Sequence, residues 1–262
     1  MYLRAVHAEH DIIALRQFIK DNPLGLFISA IPSPTFPLIQ CTHIPWVIDV
    51  VDDTSETELG KLRGHMARAN PHSKALVEAV QGRTSTANDQ QQKNVIEQEI
   101  SVVFNGPAHH YVTPKFYTET KPATGKVVPT WNYAAVQVYG RARIFHDTSD
   151  PETGSYLQSQ VEALTRHAEG SIMGYDVDGT GSKKAWAVGD APEKYVDLLK
   201  KAIIGVEIEI DRLEGKYKMS QEMGDGDRKG VVDGFRALGT EEGEKMAQTV
   251  GERAAKKNEA RR

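Results

Sequence analysis

The sharpest hydropathy pattern in the chain lies at residues 132–145, NYAAVQVYGRARIF. Ala134, Val136, Val138, Gly140, Ala142 and Ile144 fall on one face and Tyr133, Gln137, Tyr139, Arg141 and Arg143 on the other. A period of two defines a long antiparallel strand with one face buried. Residues 203–210 repeat it, with Ile204, Val206, Ile208 and Ile210 opposite Glu207 and Glu209. Residues 213–219 follow, with Glu214-Gly215 expected as a hairpin turn or bulge. Segments 24–31, 36–41, 43–50, 59–69, 100–104 and 109–112 read as further strand material, separated by Pro- and Gly-bearing links.

Helical spacing is rarer. Residues 11–20 place Ile12, Leu15, Phe18 and Ile19 on one stripe and stop at Asn22-Pro23. Residues 155–167 carry Leu157, Val161 and Leu164 on another. Residues 191–202 offer Asp190 as N-cap, Pro192 in the first turn and Glu193 at the capping-box position. Residues 81–99 contain RTSTANDQQQKN and almost nothing apolar, which reads as a mobile surface loop. Residues 114–128 read as a Pro/Gly/Thr-rich loop, and 236–262 as a charged tail, a marginal helix or a disordered end with Met246, Ala247 and Val250 as its thin apolar face. Many strands and few long helices give a β-rich α+β fold, a barrel with helices packed outside.

Composition narrows the function classes. The chain has 262 residues and a net charge of −4, with an ordinary share of hydrophobic (39%) and charged (26%) positions, so a packed core is expected rather than disorder. No apolar run approaches the ~20 residues of a membrane span. The first residues lack the apolar core of a secretory signal. One cysteine, Cys41, leaves no internal disulfide framework and no Cys-cluster zinc site. A cytoplasmic or nuclear protein fits, with no membrane partner, and the mild acidity argues against a generic nucleic-acid coat.

Three constellations carry chemistry. In Arg63-Gly64-His65-Met66-Ala67-Arg68-Ala69-Asn70-Pro71, a strand carrying Arg63 and His65 on one face runs into a helix start capped by Asn70. Helix-start amides with Arg68 alongside suit an anion such as phosphate; a solvated basic strand with an ordinary cap is the plainer alternative. Thr130-Trp131-Asn132 can flank a flat heteroaromatic ligand, although a strand-end Trp more commonly fills a core. Lys216, Lys218 and Ser220 share a strand face that could complete an anion site or simply be solvated. Histidine spacing supports no metal site, and no hydrolase or P-loop signature is present.

Seven separated motifs, NPLG (22–25), THIP (42–45), LRGHMARANP (62–71), FNGP (104–107), VPTWNY (128–133), AIIGVEI (202–208) and EGKYKMSQ (214–221), occur in this order. Together they resemble the PaiB-like family, the FMN-binding negative transcriptional regulators. The resemblance implies an α+β split β-barrel of the flavin-reductase and pyridoxamine-phosphate-oxidase type, spanning 1–235, with peripheral helices. It also implies a homodimer with FMN in a cleft at the dimer interface. Arg63, His65, Arg68 and Asn70 become the expected phosphate-end residues. Thr130, Trp131 and Asn132 become neighbours of the flavin ring or ribityl chain, and Lys218 and Gln221 complete the pocket, from the same or the second subunit. Polar stretches near 81–99 and 170–184 are longer than in bacterial relatives, which points to a fungal member. Bacterial relatives are described as repressors, but no helix-turn-helix with a basic reading helix is evident here, so direct DNA binding is not expected. No catalytic acid or base stands out; His43 and His65 qualify by residue type alone. A flavin- or haem-dependent oxidoreductase and a cofactor-free protein-interaction module are the alternative readings, with haem the less favoured cofactor.

Overall fold

The computed structural model describes residues 1–82, 94–179, 181 and 183–259. In chain order the elements are β1 (Ala8–Glu9), α1 (Ile12–Asp21), β2 (Leu24–Ala30), β3 (Ile39–Asp49), β4 (Lys61–Ala67), α2 (Pro71–Gln81), β5 (Ile100–Asn105), β6 (His110–Val112), α3 (Thr120–Thr124), β7 (Thr130–Phe145), α4 (Pro151–His167), α5 (Glu193–Lys201), β8 (Ile203–Lys218), α6 (Asp225–Arg236) and α7 (Glu241–Glu259). The chain divides into two compact units. The first holds residues 1–10, 105–136 and 214–262; the second holds 11–104 and 137–213.

The second unit is a barrel. Its strands lie in the order β8-β4-β3-β2-β5-β7, and β7 pairs back onto β8. The α+β barrel read from the alternating segments is therefore present. Alternation sends Phe27, Trp46, Leu62, Val102, Val138, Ile204 and Val206 into the core, each buried. Phe27 meets Trp46 edge-on, with ring centroids 5.7 Å apart. Closure depends on one glycine. A Cβ on Gly140 of β7 would lie 2.0 Å from the Glu209 carbonyl oxygen of β8, so no other residue fits that approach. Outside the barrel, α1 starts where the Asp11 carboxylate accepts the Ala14 N–H at 3.1 Å, and it buries Leu15, Phe18 and Ile19. Its buried Arg16 gathers the carbonyls of Asp53, Ser55 and Glu58, each at 2.8 Å, and so ties down the link after β3. Helix α4 lays Tyr156 flat on Phe145, with centroids 3.8 Å apart, and the phenol donates to the Val206 carbonyl at 2.7 Å.

In the first unit β1 pairs with β8 and β6 pairs with β7. Helix α6 presents Gly226, Gly230 and Gly234 to the segment from Phe116 to Glu119. A Cβ on Gly230 would lie 2.1 Å from the Phe116 carbonyl oxygen, so the glycine stripe lets that backbone lie against the helix. Buried Asp227 accepts the N–H groups of Glu119 at 2.9 Å and Thr120 at 3.1 Å. Helix α7 buries Met246, Ala247 and Val250, so the apolar face noted in the tail is packed in a helix of 19 residues.

Several local readings are corrected. Glu214-Gly215 makes no hairpin, because Glu9 and Ala8 pair with Gly215 and Lys216 and β8 runs straight through. The segments read at 36–41 and 43–50 are one strand, β3, paired along β2. Asp190 does not cap α5; its carboxylate accepts the Ala187 N–H and closes a one-turn helix, while α5 begins after Pro192. Residues 83–93 of the expected mobile loop, and residues 180 and 182 of the 170–184 stretch, lie outside the described residues. The end of the first stretch is ordered onto β7: the Ile96 N–H donates to the Ala142 carbonyl at 2.8 Å, and Ile96 is buried.

Gly140→Ala should destabilise the protein by about 2–3 kcal/mol, lowering the Tm by roughly 5–10 °C, because the clash is with backbone. Gly251→Ala in α7, where a Cβ meets nothing within 4 Å, should be neutral or stabilising. Thermal denaturation followed by circular dichroism checks both, and an unchanged Tm for Gly140→Ala would contradict the closure argument.

Candidate functional site

The second unit places the motif Arg63–Pro71 at the end of β4 and the start of α2. Asn70 caps α2: its carboxamide oxygen accepts the His72 N–H at 2.9 Å. Its Nδ2 donates to Thr42 Oγ1 at 3.4 Å. The buried His72 lies flat against Phe27, with centroids 4.6 Å apart. Nε2 of His72 is 2.8 Å from Ser29 Oγ and Nδ1 is 3.0 Å from Thr42 Oγ1. Both ring nitrogens thus meet hydroxyls, which can donate to one nitrogen and accept from the other, so the neutral imidazole is fully satisfied. Burial pushes the His72 pKa down to about 4. This network fixes the first turn of α2, in which Pro71 has no N–H, the His72 N–H goes to the Asn70 carboxamide and the Lys74 N–H goes to the Asn70 carbonyl at 3.1 Å.

Arg68 sits beside that turn. Its Nε donates to the Lys201 carbonyl at 3.1 Å, and its Nη2 donates to the carbonyls of His146 at 2.8 Å and Ile203 at 3.1 Å. The guanidinium thereby clamps the end of β7 and the start of β8, while Nη1 makes no such bond. Arg68 also lines a groove of 590 Å³ with Thr35, Phe36, Ser73, Lys74, Val77 and Glu78 among its walls. That volume suits a small-molecule ligand. The lining combines two cations, Arg68 and Lys74, with the Glu78 carboxylate and the apolar side chains of Phe36 and Val77, so an anionic group on a ligand would have Arg68 and Lys74 to pair with.

The other two expected phosphate-end residues point elsewhere. Arg63 donates to Asp49 at 2.9 Å and to Ser159 at 3.1 Å. It lines a separate cavity of 400 Å³ with Arg143, Glu152, Tyr156 and Glu207. Strand alternation separates it from Arg68, five residues on. His65 shares the Arg63 face; its Nδ1 is buried with no hydrogen-bond partner, and burial lowers its pKa. Arg68 and Asn70 are thus brought together and Arg63 is not. Ser73 and Lys74 were missed in the sequence, although the Asn70-Pro71 helix start was a signal that the next turn would face the same way.

The remaining expected residues lie in the first unit. Lys218 Nζ donates to Thr130 Oγ1. Asn132, fully buried, donates through Nδ2 to Ser220 Oγ at 3.1 Å. Ser220 has φ 61°, a left-handed conformation uncommon outside glycine, and that bond holds it. Gln221 closes the turn after β8, accepting the Met219 N–H and donating to the Tyr217 carbonyl, both at 2.6 Å. Lys216 does not join an anion site with Lys218; its ammonium donates to the Tyr2 carbonyl at 3.1 Å. Trp131 fills no core: 49% of it is exposed. Cys41 is exposed. Among the described residues no group of three His, Cys, Asp or Glu side chains could hold a metal ion, and no helix is long and apolar enough to cross a membrane.

A barrel-bearing α+β chain with a cationic groove at a helix start is the class these observations define. Residues 1–212 match the family described as "Putative FMN-binding domain", and the chain belongs to that family. It is similar to an uncharacterized protein of Aspergillus fumigatus, 55% identical over 265 residues, covering 98% of this chain and 99% of that one. It is also similar to the protease synthase and sporulation protein PAI 2 of Bacillus subtilis, 22% identical over 255 residues and 97% of each chain. The PaiB-like resemblance, with a fungal member, is in line with both. A solved structure of a conserved hypothetical protein from Mycobacterium tuberculosis aligns over 86% of this chain and 94% of that one, at 11% identity and a TM-score of 0.46.

The His72 network predicts a pH dependence. The unfolded chain takes up a proton near the ordinary histidine value of 6.5, and the folded one only near about 4. Stability from this group is therefore complete above pH ~7 and falls as the pH drops from 6.5 towards 4, by about 2–3 kcal/mol. Urea denaturation at pH ~7.5 and ~4.5 should show this loss in the wild type and a smaller one in His72→Gln. Equal losses would place the acid sensitivity elsewhere.

Proposed function

We propose that this protein binds FMN, with the phosphate held by Arg68, Lys74 and the first turn of α2. The observation that carries the reading is the groove in the second unit, which Arg68 and Lys74 line together with Glu78, beside the capped start of α2. Membership of an FMN-binding family supports it. FMN when bound supplies electron-transfer chemistry. The chain supplies binding and orientation: Arg68 and Lys74 neutralise the dianion, and Asn70 and His72 keep the start of α2, and with it Lys74, in place. Taken by itself, the first unit has in Trp131 a flat exposed surface of the kind the family resemblance gives to the flavin ring, with Thr130 and Asn132 next to it in β7 and Lys218 and Gln221 named by the same resemblance. The name of the Bacillus relative speaks of protease synthase and sporulation, and a flavin-binding protein can serve in regulation or in metabolism with the same site.

We also propose a homodimer, on an observation in the barrel wall. The β2–β3 pairing sets Leu24 opposite Pro45, Leu26 opposite His43, Ile28 opposite Cys41 and Ala30 opposite Ile39, on the outward face. Leu24 is 59% and Ile39 64% exposed. Seven of these eight side chains carry no charge and little polarity, a contiguous face that a second copy of the chain would cover.

Lys74→Glu should weaken FMN by about ten- to a hundred-fold, the worth of one charge-assisted hydrogen bond, while changing riboflavin affinity little. Arg68→Ala should do the same, with an added loss of stability because its clamp on β7 and β8 goes. Titration with both flavins decides it; equal losses for the two would remove the phosphate assignment. Light scattering should give about twice the 29.0 kDa chain mass for the wild type and a monomer for Ile28→Lys. A wild-type monomer, or an unchanged mass in the variant, would contradict the dimer.

A further inference from the structure

The flavin-ring role given above to Trp131 leaves a physical question. An indole half in solvent at a strand end has no packing to hold it, yet stacking on a ligand is strongest when the ring is already in place. Register on the sheet answers it. Tyr111 of β6 pairs directly with Trp131 of β7, and His109, two residues before Tyr111, points to the same side. The Trp131 Nε1–H donates to His109 Nδ1 at 3.3 Å. The two rings lie 5.9 Å apart at 35°, and Tyr111 meets the other part of the indole edge-on, 6.3 Å away at 62°. His110, by contrast, faces the opposite way against Phe235. The indole N–H is a donor only, so an acceptor at His109 fixes both its tilt and its rotation.

We propose that His109 is a positioning residue for flavin-ring binding: it holds Trp131 in the orientation that stacks on the ring, through the indole N–H. The proposal rests on the reading of Trp131 as the ring neighbour. It explains why an imidazole with no part in metal binding is spent on an exposed surface next to His110. It also assigns the second residue of the ledge, Tyr111, the task of closing the other side. His109 acts through Trp131 and does not touch the reacting atoms. Its effect therefore falls on FMN and riboflavin alike, unlike that of Lys74.

The test uses the full chain, with FMN and riboflavin as probes. His109→Ala should weaken both by about two- to ten-fold, the range of one net hydrogen bond. His109→Gln, whose carbonyl can accept from the indole, should recover most of it. In a Trp131→Ala background His109→Ala should change nothing further, which a merely structural role would not produce. A second readout needs no flavin: the emission assigned to Trp131, taken as the difference between wild type and Trp131→Phe, should shift in His109→Ala, where the indole N–H loses its acceptor, and return towards the wild-type position in His109→Gln. If His109→Ala weakens flavin equally with and without Trp131, or not at all, the positioning role is overturned. If Trp131→Ala leaves both flavins unaffected while His109→Ala still shifts the Trp131 emission, the ring-neighbour reading has failed and the proposal falls with it, the hydrogen bond alone remaining.

Discussion

Closure of β7 against β8 is the constraint on which the second unit depends. It removes the open edges of the sheet and fixes which side chains face inward, and Gly140 permits it by letting the Glu209 carbonyl approach where a Cβ would stand. Arg68 then finishes what the glycine begins. Its backbone N–H reaches the Ala202 carbonyl at 2.8 Å, and its guanidinium reaches three more carbonyls at the ends of the two closing strands. A side chain engaged in this way is held in place, and the same residue lines a groove. Fold and candidate site therefore share a residue, and the same substitution disturbs both. Lys74, exposed and outside that clamp, separates the two effects.

The α2 start shows the same economy at a smaller scale. His72 joins Ser29 on β2 to Thr42 on β3 and, through Asn70, to the helix cap. A buried neutral imidazole between two hydroxyls costs little so long as it stays neutral, which is why burial holds its pKa so low. The helix end is thereby anchored to the barrel by hydrogen bonds that tolerate no misplacement, and the amides of its first turn keep a fixed direction. An anion site built on a helix start requires that rigidity.

Much of the architecture was legible because strands announce themselves by period two. Residues 132–145 and 203–210 carried that pattern plainly, and both are strands with their apolar face buried. The reading failed where long-range pairing overrides local signals. Glu214-Gly215 looks like a turn, but a two-residue strand from the N-terminal end of the chain pairs there and keeps β8 extended. Helix α6 was invisible for a physical reason: Gly226, Gly230 and Gly234 depress helix propensity, and their value lies in the close approach of Phe116, which no local pattern encodes. At the site, the helix start and Arg68 were legible from Asn70-Pro71. The divergence of Arg63 followed from alternation, and Lys74 needed the three-dimensional groove to be seen. Trp131 could be either core or surface from sequence alone, and the structure leaves it half exposed opposite Tyr111.

The central claim is that the groove beside α2 recognises a phosphate carried on a flavin. Calorimetric titration of the wild-type chain with FMN and with riboflavin tests it most directly, since the two ligands differ only in that group. The account predicts that FMN binds at least about ten-fold more tightly, the difference shrinking as salt is raised. Equal affinity for both, or binding of neither, would contradict it.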